Sequence, residues 1–343
     1  MALSKVDLAN QVENQLPQSL VADNVNFRNI LINGDMSLAQ RGTSASSLTG
    51  SSYETVDRFK QEISSQGTWT QSQSTDVPSG QGFATSLKMD CTTADASPSA
   101  GDFLIIEQQV EGQNLQYLKK GTSSAESVTL SFWVKSNKTG TYIFELVDND
   151  NSRAISKSYT ISSADTWEKK TITYAGDTSG AFDNDNNGSL RLFFWLGGGT
   201  NYTSGTLNTS WGTRVDTNAA VGQVNLADST SNEWYITGVQ LEAGEVASDF
   251  EFLPHDVNLN RCLRYFEEYQ GANSHAGLYS GSTYIGHIFY KIRKRTRPTL
   301  SGASGNYTQL NNSSGGDKGA EDSMYFTAPA NGYLVNLTID SEL

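Results

Sequence analysis

The sequence contains few of the residues that usually carry chemistry or crosslinks. It has two cysteines and three histidines among 343 residues. Cys91 and Cys262 lie far apart in the sequence, so we expect two buried free thiols, as in a protein that folds in a reducing cytoplasm. No H-E-x-x-H or G-x-S-x-G pattern occurs, so two common catalytic signatures are missing.

Long apolar runs and positive charge are also scarce. No stretch approaches about 18 consecutive apolar residues, so we expect no membrane insertion. Residues 1–18 lack a basic patch followed by an apolar core, so we do not interpret them as a secretory signal. With 24 Lys and Arg against 37 Asp and Glu, the formal charge is −13. Such a charge repels duplex DNA, and we expect no nucleic-acid partner.

Glycine and aromatic residues, in contrast, are plentiful, with 31 glycines and 10% aromatics. Together with frequent Ser, Thr and Asn, they are typical of twisted strands joined by polar turns. In Val128–Val134 apolar and polar residues alternate, which predicts a strand with one buried face. About eleven strands are predicted: Asn29–Asn33, Thr55–Ile63, Thr68–Gln73, Ala84–Asp90, Asp102–Val110, Ser127–Ser136, Gly140–Val147, Ala154–Ile161, Thr166–Ala175, Leu190–Leu196 and Glu233–Ala243. This pattern predicts an all-β fold, an antiparallel β-sandwich of the jelly-roll type.

The N-terminal end differs from this middle part. Residues 1–26 form a polar arm, in which Leu8, Val12 and Leu16 predict a short helix up to Pro17. A helix of that length is not stable alone in water. We therefore expect the arm to dock on another protein or to stay mobile.

The C-terminal end also changes character. After Pro254 a helix is predicted over Val257–Tyr269, because its apolar residues share one stripe. Short Gly-rich strands follow it: Ala276–Tyr279, Ser282–Tyr290, Thr299–Gly302, Met324–Ala328 and Tyr333–Asp340. We predict three parts, an arm (1–26), a jelly roll (27–255) and a small C-terminal domain (256–343) with one helix followed by strands.

The stretch NILINGDMSLAQRGTS joins the arm to the jelly roll. Ile30 and Ile32 are predicted to begin the first strand, and Asn33-Gly34 to form the turn after it. Arg41 is expected to pair with a carboxylate of the jelly roll. The stretch therefore predicts architecture and no chemistry.

Several phrases occur together in this chain: NILINGDMSLAQRGTS with YETVDRF, VTLSFWVKSNKTGTYIFEL, TWEKKTITYAGDTSGAF, LFFWLGGGTNY and EWYITGVQLEAGEVASDFEFLPHDVNLNRCLRYFEEY. In this order, over residues 27–300, they resemble bacteriophage tail-fibre and related virion proteins with a carbohydrate-binding-module-like jelly roll. The resemblance implies a non-enzymatic virion protein, assembled in the bacterial host cytoplasm and normally a homotrimer. It implies that the arm docks on other virion proteins and that the jelly roll faces host surface polysaccharide or lipopolysaccharide.

Three residues are candidates for sugar binding. Trp133, Arg191 and Trp195 fall on strand faces opposite apolar runs, where carbohydrate-binding modules line their concave sheet. The C–H face of a sugar ring stacks on Trp or Tyr, and polar groups fix its hydroxyls. The alternative is that these residues belong to the core or to a subunit interface. Tyr142 is expected in the core, as is at least one of Trp234 and Tyr235.

Two parts of the sequence suggest a cation-binding site. Asp183–Gly188 begins like an EF-hand loop, but position 12 is Phe194 where that loop needs a bidentate Glu, so an acidic turn is favoured. The resemblance implies one structural calcium near the first and last strands, with Asp35 and Glu242 as its side-chain ligands. No other cofactor is expected.

A cluster of basic residues lies near the C-terminal end: Lys291, Arg293, Lys294, Arg295 and Arg297. One interpretation is a strand that contacts anionic lipopolysaccharide or other host-surface sugars. The alternative is a solvated strand edge, because basic residues discourage pairing between edges.

The leading hypothesis is therefore a receptor-binding tail-fibre protein that adsorbs to host glycans by multivalent binding. The alternative is a purely structural virion component, such as a head fibre, decoration protein or tail adaptor. A polysaccharide depolymerase is a third hypothesis, because two carboxylates of the many present need only meet in space. The long β-helix repeat typical of such enzymes is missing.

Overall fold

The computed structural model describes residues 27–269, 274–275, 278–280, 283–311, 321–329 and 332–343, so the predicted arm and its helix lie outside the described residues. The strands are β1 (Ser44–Leu48), β2 (Lys60–Ser64), β3 (Thr68–Ser74), β4 (Ser86–Thr93), β5 (Phe103–Glu111), β6 (Val128–Ser136), β7 (Gly140–Asp148), β8 (Arg153–Ile161), β9 (Glu168–Tyr174), β10 (Gly188–Gly198), β11 (Gly212–Thr213), β12 (Glu233–Ala243), β13 (Phe266–Tyr269), β14 (Ser274–His275), β15 (Leu278–Ser280), β16 (Thr283–Phe289), β17 (Thr299–Asn306), β18 (Gln309–Asn311), β19 (Ser323–Ala328) and β20 (Tyr333–Asp340). The α-helices are α1 (Thr200–Thr203) and α2 (His255–Leu263), and short 3₁₀ turns cover Gly112–Asn114, Gln116–Leu118, Asp216–Asn218 and Leu226–Asp228. Neither described helix is long and apolar enough to cross a membrane.

Two six-stranded antiparallel sheets form the main body and confirm the predicted sandwich. The front sheet has the order β1-β3-β4-β12-β6-β9, and the back sheet the order β11-β8-β7-β10-β5-β2. Their inner faces follow the alternation of the sequence: Phe132 and Val134 of β6 are fully buried, whereas Trp133 between them points away from the core. The same holds on β10, where Leu192 and Phe194 are inside.

Aromatic rings fill the space between the sheets. Phe194 packs edge-on against Phe132 and Phe144, at centroid distances of 5.3 and 4.6 Å. Burying one such side chain contributes about 1.5–3 kcal/mol. Tyr142 and Trp234 are also buried between the sheets, as predicted for Tyr142 and for at least one of Trp234 and Tyr235, whereas Tyr235 lies on the outer face of the front sheet. Both cysteines are free and buried, as predicted.

The predicted first strand, Asn29–Asn33, is wrong. These residues do lie along β12, where the amide of Ile30 donates to the carbonyl of Leu241 (2.8 Å). The next hydrogen bond of the ladder is made by a side chain, because the Asn29 side-chain oxygen accepts from the Leu241 amide at 3.1 Å. A side chain thus replaces backbone pairing, and Asn33 then turns at a φ of +61°. The predicted Asn33-Gly34 turn is present, closed by a bond from the Met36 amide to the Asn33 carbonyl.

The C-terminal part holds two small sheets. In one, β20 is central, with β13 and β14 along one edge and β17 along the other; the second has the order β15-β16-β19-β18. The predicted helix is right in kind but too long, because α2 ends at Leu263 and Phe266–Tyr269 forms β13. Pairing of β13 with β20 overrides the local helical pattern. The strands of the sandwich end at Ala243, and the domain boundary at 255 stays a prediction.

Ion pairs join the C-terminal part to the sandwich. Arg41 contacts Asp340 (3.2 Å) and Glu342 (3.3 Å), and the fully buried Arg58 pairs with the same Glu342. Arg264 makes a two-pronged contact with Glu111, at 2.7 Å for both bonds. The prediction that Arg41 pairs with a carboxylate of the jelly roll is wrong about the partner, because the carboxylates that it contacts belong to the C-terminal end.

Candidate functional site

An aromatic cleft lies on the outer face of the front sheet. Trp133 is half-buried there, between Thr237 of β12 and Lys169 of β9. The cleft in front of it has a volume of about 300 Å³, at the lower end of small-molecule pockets. We call it the Trp133 cleft; its lining is Gly80, Gln81, Phe83, Ser131, Trp133, Lys169, Gly238, Asp249, Phe250 and Phe252.

Three phenylalanines form the apolar wall of the Trp133 cleft. Phe83 packs against Phe250 and Phe252 at 5.1 Å each, and Phe250 and Phe252 are 4.9 Å apart. Phe252 keeps 50% of its surface exposed. A glycine makes this packing possible, because a Cβ at Gly238 would lie 2.5 Å from the Phe83 ring. The cleft therefore combines one Trp with an exposed aromatic edge.

The segment that carries Phe250 and Phe252 is held by polar side chains of β12. Glu242 accepts hydrogen bonds from the Ser248 amide (2.8 Å) and the Ser248 hydroxyl (2.7 Å). Gln240 accepts from the Glu251 amide at 2.8 Å. The segment folds back over the front sheet because these bonds fix it, and the aromatic wall is thereby preformed.

Polar groups surround the aromatic ones. Lys169, Gln81 and Asp249 are exposed at the rim, and Ser131 lies on the floor. They supply an ammonium, an amide, a carboxylate and a hydroxyl, which are the donors and acceptors that sugar hydroxyls need. The arrangement can therefore stack an apolar ring face and hydrogen-bond the polar groups on its edge.

A second aromatic group continues the same sheet face. Trp167 donates to Asp76 at 2.9 Å and packs edge-on against Tyr235 at 6.2 Å, and the Lys135 ammonium lies 4.2 Å from the Tyr235 ring centre. Burial alone would raise the pKa of Asp76, but hydrogen bonds from Lys135 and Trp167 outweigh it and lower that pKa. Asp76 is thus held as a carboxylate, and its charge fixes the position of Trp167.

The two other predicted sugar-binding residues lie elsewhere. Trp195 and Arg191 are on β10 of the back sheet, so they do not share a face with Trp133. Trp195 is 1% exposed, because α1 and the residues after it cover the back sheet and bring Tyr202 to 5.2 Å. Its indole N–H donates to Glu145 at 3.1 Å. Trp195 is therefore a packing residue, which is the alternative given for it, and its covered ring does not favour sugar binding.

Arg191 is engaged by carboxylates of the back sheet. It makes a two-pronged contact with Glu107, contacts Glu62 at 3.3 Å and lies over the Phe193 ring at 4.6 Å. Burial raises the pKa of Glu107 to about 7, and Arg191 acts against that shift. The guanidinium donors are thus used within the protein, which does not favour Arg191 as a sugar ligand.

The calcium prediction does not fit the geometry. The Asp35 carbonyl lies near Thr237, whereas Glu242 lies five residues further along β12, roughly 15 Å away in a strand. The Asp35 carboxylate accepts from Ser37 and Asn258, and Glu242 from Ser248 and Gln240. Within the described residues no group of three or more His, Cys, Asp or Glu is placed to hold a metal. Protein donors thus already contact both carboxylates, and their separation along β12 does not suit one shared ion.

The basic cluster is a loop and not a strand, since no strand lies between β16 and β17. Lys294 is fully buried against Glu267 (2.7 Å), and Arg295 donates to the carbonyls of Asn186 and Ser341. Lys291, Arg293 and Arg297 are the more exposed members, and Arg293 pairs with Glu321 at 2.7 Å. Arg297 also has a partner. Two of the five cations thus hold the protein together, which weakens the interpretation as a surface for anionic sugars.

Several residues of the Trp133 cleft have no signal in the sequence. Phe250 and Phe252 follow the last sandwich strand, where neither strand nor helix periodicity marks a face. Phe83 and Gln81 lie in the loop before β4. Outside the cleft lining, Trp167 immediately precedes β9, and its contact with Asp76, 91 positions away, depends on the fold.

Comparison with known proteins yields structural similarities only. No family model matches the sequence, and no curated protein matches it. The chain is similar to the enzymatically active domain of tailspike protein 4 of bacteriophage CBA120 (14% identity, TM-score 0.33, 63% of this chain and 21% of that one). It is also similar to a putative sugar binding protein from Bacteroides thetaiotaomicron (12% identity, TM-score 0.33, 63% of this chain and 99% of that one). A further similarity is to a family 11 carbohydrate-binding module of a Clostridium thermocellum cellulase (12% identity, TM-score 0.29, 58% of this chain and 97% of that one).

These similarities are distant. All three TM-scores are below 0.5, so the ligands of those proteins are not transferred to this chain. The match spans about a fifth of the length of the tailspike protein. What the chain binds has to be argued from its own residues.

Proposed function

We propose that this chain is a virion fibre protein that adsorbs to host cell-surface glycans through the Trp133 cleft. The observation that carries the binding part is the preformed arrangement of Trp133, Phe252 and Lys169 around a cleft of about 300 Å³. The virion part is supported by the phrases that resemble phage fibre proteins over residues 27–300.

The shape of the cleft favours a sugar over a purely apolar ligand. An apolar pocket would enclose its ligand, whereas this cleft is a shallow surface with aromatic walls and a polar rim. A pyranose ring has the matching pattern, with C–H groups on its faces and hydroxyls at its edge. The ligand class that fits is a short stretch of polysaccharide lying across the front sheet.

A single shallow site of this kind binds weakly, and assembly into oligomers compensates by raising the avidity. In a homotrimer with several fibres on one particle, effective concentration raises avidity by about 10²- to 10⁴-fold. The trimer and the attachment of the N-terminal arm to other virion proteins are parts of the proposal. Light scattering at several protein concentrations measures the trimer, and a monomer at all concentrations would contradict it.

The carboxylates of the back sheet do not favour a depolymerase. Glu107 is fully buried and Glu145 is 1% exposed. Each is held by an arginine, Glu107 by Arg191 and Glu145 by Arg214 at 3.1 Å. A glycosidase needs two carboxyl groups that reach a bound sugar, and these two are covered by protein. Binding without turnover is therefore the proposal.

The test uses one binding site at a time, so that assembly does not affect the result. A glycan array identifies the best soluble tetrasaccharide, and calorimetry then measures its affinity for the full chain. Trp133→Ala is expected to weaken binding about tenfold or more, because the stacking surface is lost. Trp133→Phe keeps an aromatic ring and should therefore lose less affinity than Trp133→Ala.

The matched control is Phe289→Ala, which removes an aromatic ring that is 77% exposed but lies on β16, outside the cleft. Its affinity should equal that of the wild type. Equal affinity of the wild type and Trp133→Ala would refute the assigned site. Absence of any array signal would contradict glycan binding itself.

One observation favours the purely structural alternative. Phe289 is a large exposed aromatic residue, and His287 stacks beside it at 6.5 Å, on a sheet of the C-terminal part. Such a surface suits contact with a neighbouring virion protein. Labelled antibody on intact particles separates the two: the tail tip favours adsorption, and the capsid surface or connector favours the structural role.

A further inference from the structure

A second cleft, distinct from the Trp133 cleft, lies at one end of the sandwich, where the chain enters from residue 27 and α2 begins the C-terminal part. Its volume is about 330 Å³. We call it the Arg261 cleft; the residues used below are Gln109 of β5, Asn114 and Tyr117 of the turns that follow, and Arg261 of α2. None of them belongs to the lining of the Trp133 cleft.

Arg261 is a cation without an anion. In the part of the chain that the structure describes, its guanidinium makes only long contacts, to the carbonyls of Asn29 (3.3 Å) and Ile30 (3.5 Å). Arg264, one turn further on, shows the usual alternative, a two-pronged bond to Glu111. Burial lowers the pKa of Arg261, yet a guanidinium stays charged in a protein. A carboxylate from a ligand would supply the missing partner.

Glu251 is the carboxylate whose charge acts on Arg261, but its oxygens already accept hydrogen bonds from the backbone. Its two carboxylate oxygens accept from the backbone amides of Phe27 (2.8 Å) and Asn29 (2.9 Å). It acts on Arg261 through its field and makes no direct ion pair with it. The guanidinium therefore keeps donors for another oxygen anion.

The other lining groups suit a sugar ring. Tyr117 is 50% exposed and presents a ring face for stacking. The side-chain amides of Gln109 and Asn114 form no hydrogen bond within the described ranges, so their donors and acceptors are available. An aromatic face, two amides and a guanidinium together match a sugar that carries a carboxylate.

We propose that the Arg261 cleft binds one acidic sugar unit, a uronic acid, of an acidic polysaccharide. The carboxylate pairs with the Arg261 guanidinium, the ring face lies on Tyr117, and Gln109 and Asn114 take the hydroxyls. The chain's net charge of −13 repels an acidic polymer at long range. At physiological salt that repulsion is screened beyond about 8 Å, whereas the direct contact persists.

The test titrates the full chain with digalacturonate and with the corresponding neutral galactose disaccharide, by calorimetry at physiological salt. Digalacturonate is expected to bind at least about tenfold more tightly, because a charge-assisted hydrogen bond is worth roughly ten- to a hundredfold. Equal affinities would overturn the proposal. Acetate binding as tightly as digalacturonate would overturn the sugar part, since it would mark a simple anion site.

Variants locate the site. Arg261→Gln should lose the preference for the acidic disaccharide, and Arg261→Lys should keep part of it. If Arg261→Gln lowers the melting temperature, Tyr117→Ala is the decisive variant, because Tyr117 is on the surface. Its replacement should weaken digalacturonate binding without unfolding the protein. Unchanged binding in a folded Arg261→Gln or in Tyr117→Ala would refute the assignment.

Trp133→Ala separates this proposal from the proposed function. It should leave digalacturonate binding unchanged while weakening the tetrasaccharide found on the array. Loss of digalacturonate binding in Trp133→Ala would place that ligand in the Trp133 cleft and overturn the second site. Failure of the tetrasaccharide test alone would leave the Arg261 cleft standing.

Discussion

At the scale of single residues, one carboxylate illustrates how burial decides the value of an ion pair. Glu267 contacts Lys294 at 2.7 Å and Lys291 at 3.8 Å. Lys294 is fully buried, whereas the Lys291 side chain is 61% exposed. Water screens the second pair and not the first, and Lys294 also donates to the Leu263 carbonyl at the end of α2.

Lys294→Met is therefore expected to destabilise the protein by about 3–5 kcal/mol, because Glu267 is left as a buried charge without its close partner. Lys291→Met, which removes the exposed partner of the same carboxylate, should cost less than about 1 kcal/mol. Urea denaturation of both variants measures the free energy of unfolding. Similar losses for the two would contradict the assigned difference.

Residue by residue, the sequence predicts which side of a strand a side chain takes, but not what covers that side. Trp133 and Trp195 both alternate with core residues, and both do point away from the core. Trp133 remains half-open, whereas Trp195 is covered by α1, which carries Tyr202, and by residues after it. That cover comes from a segment with no regular periodicity, so the difference could not be predicted from β6 and β10 alone.

At the scale of elements, the irregularity in β12 shapes the Trp133 cleft. The register with β6 shifts between Thr237 and Gln240, and Gly238 adopts a φ of +63° there. This conformation suits glycine because it has no Cβ. The bulge leaves the space that the Phe83 ring occupies, so a backbone feature of one strand sets the position of the aromatic wall.

Gly238→Ala should destabilise the protein by about 1–2 kcal/mol through left-handed strain and should also weaken tetrasaccharide binding, because the new Cβ displaces Phe83. Gly222→Ala is the matched control. Its φ is +89°, but nothing lies within 4 Å of the added carbon. It should lose stability and keep full binding, as measured by denaturation and calorimetry. Equal binding in both variants would show that Phe83 does not shape the site.

Elements were predictable where one local pattern acts alone. Most strands of the sandwich follow their alternation, because each buries one face against the other sheet; β1 and β11 were not predicted, and β2 begins at Lys60 and not at Thr55. Asn29–Asn33 and the end of α2 were mispredicted for the opposite reason. In the first, the Asn29 side chain takes over a backbone position; in the second, β20, which lies about seventy residues later, recruits Phe266–Tyr269 into a sheet. Both outcomes depend on partners that are remote in the sequence.

At the scale of the whole molecule, the last residues hold the two parts together. Glu342 contacts both Arg41 and Arg58, and the side chains of Arg58 and Glu342 are 1% and 5% exposed. Arg58 also stacks on Tyr265, with its guanidinium 3.6 Å from the ring centre. The contact is thus a small buried network that joins the sandwich, Tyr265 just before β13, and the C-terminal end.

Glu342→Gln is expected to loosen this junction, because two guanidinium groups lose a shared buried anion, at a cost of about 3 kcal/mol or more. Hydrogen exchange should become faster in β20 and remain unchanged in β6, in the centre of the front sheet. Asp216→Asn, which removes the 60% exposed partner of Arg214, serves as the control and should change neither strand. Unaltered exchange in β20 would contradict a stabilising role for Glu342.

The distance along the chain between Arg58 and Glu342 has a consequence for synthesis. The two residues are 284 positions apart, and Glu342 is the second to last residue of this sequence. At 5–20 residues per second, a ribosome takes roughly 15–60 s to pass from one to the other. During that interval the nascent sandwich carries two arginines whose shared anion has not been translated, so this network forms only after Glu342 has been synthesised.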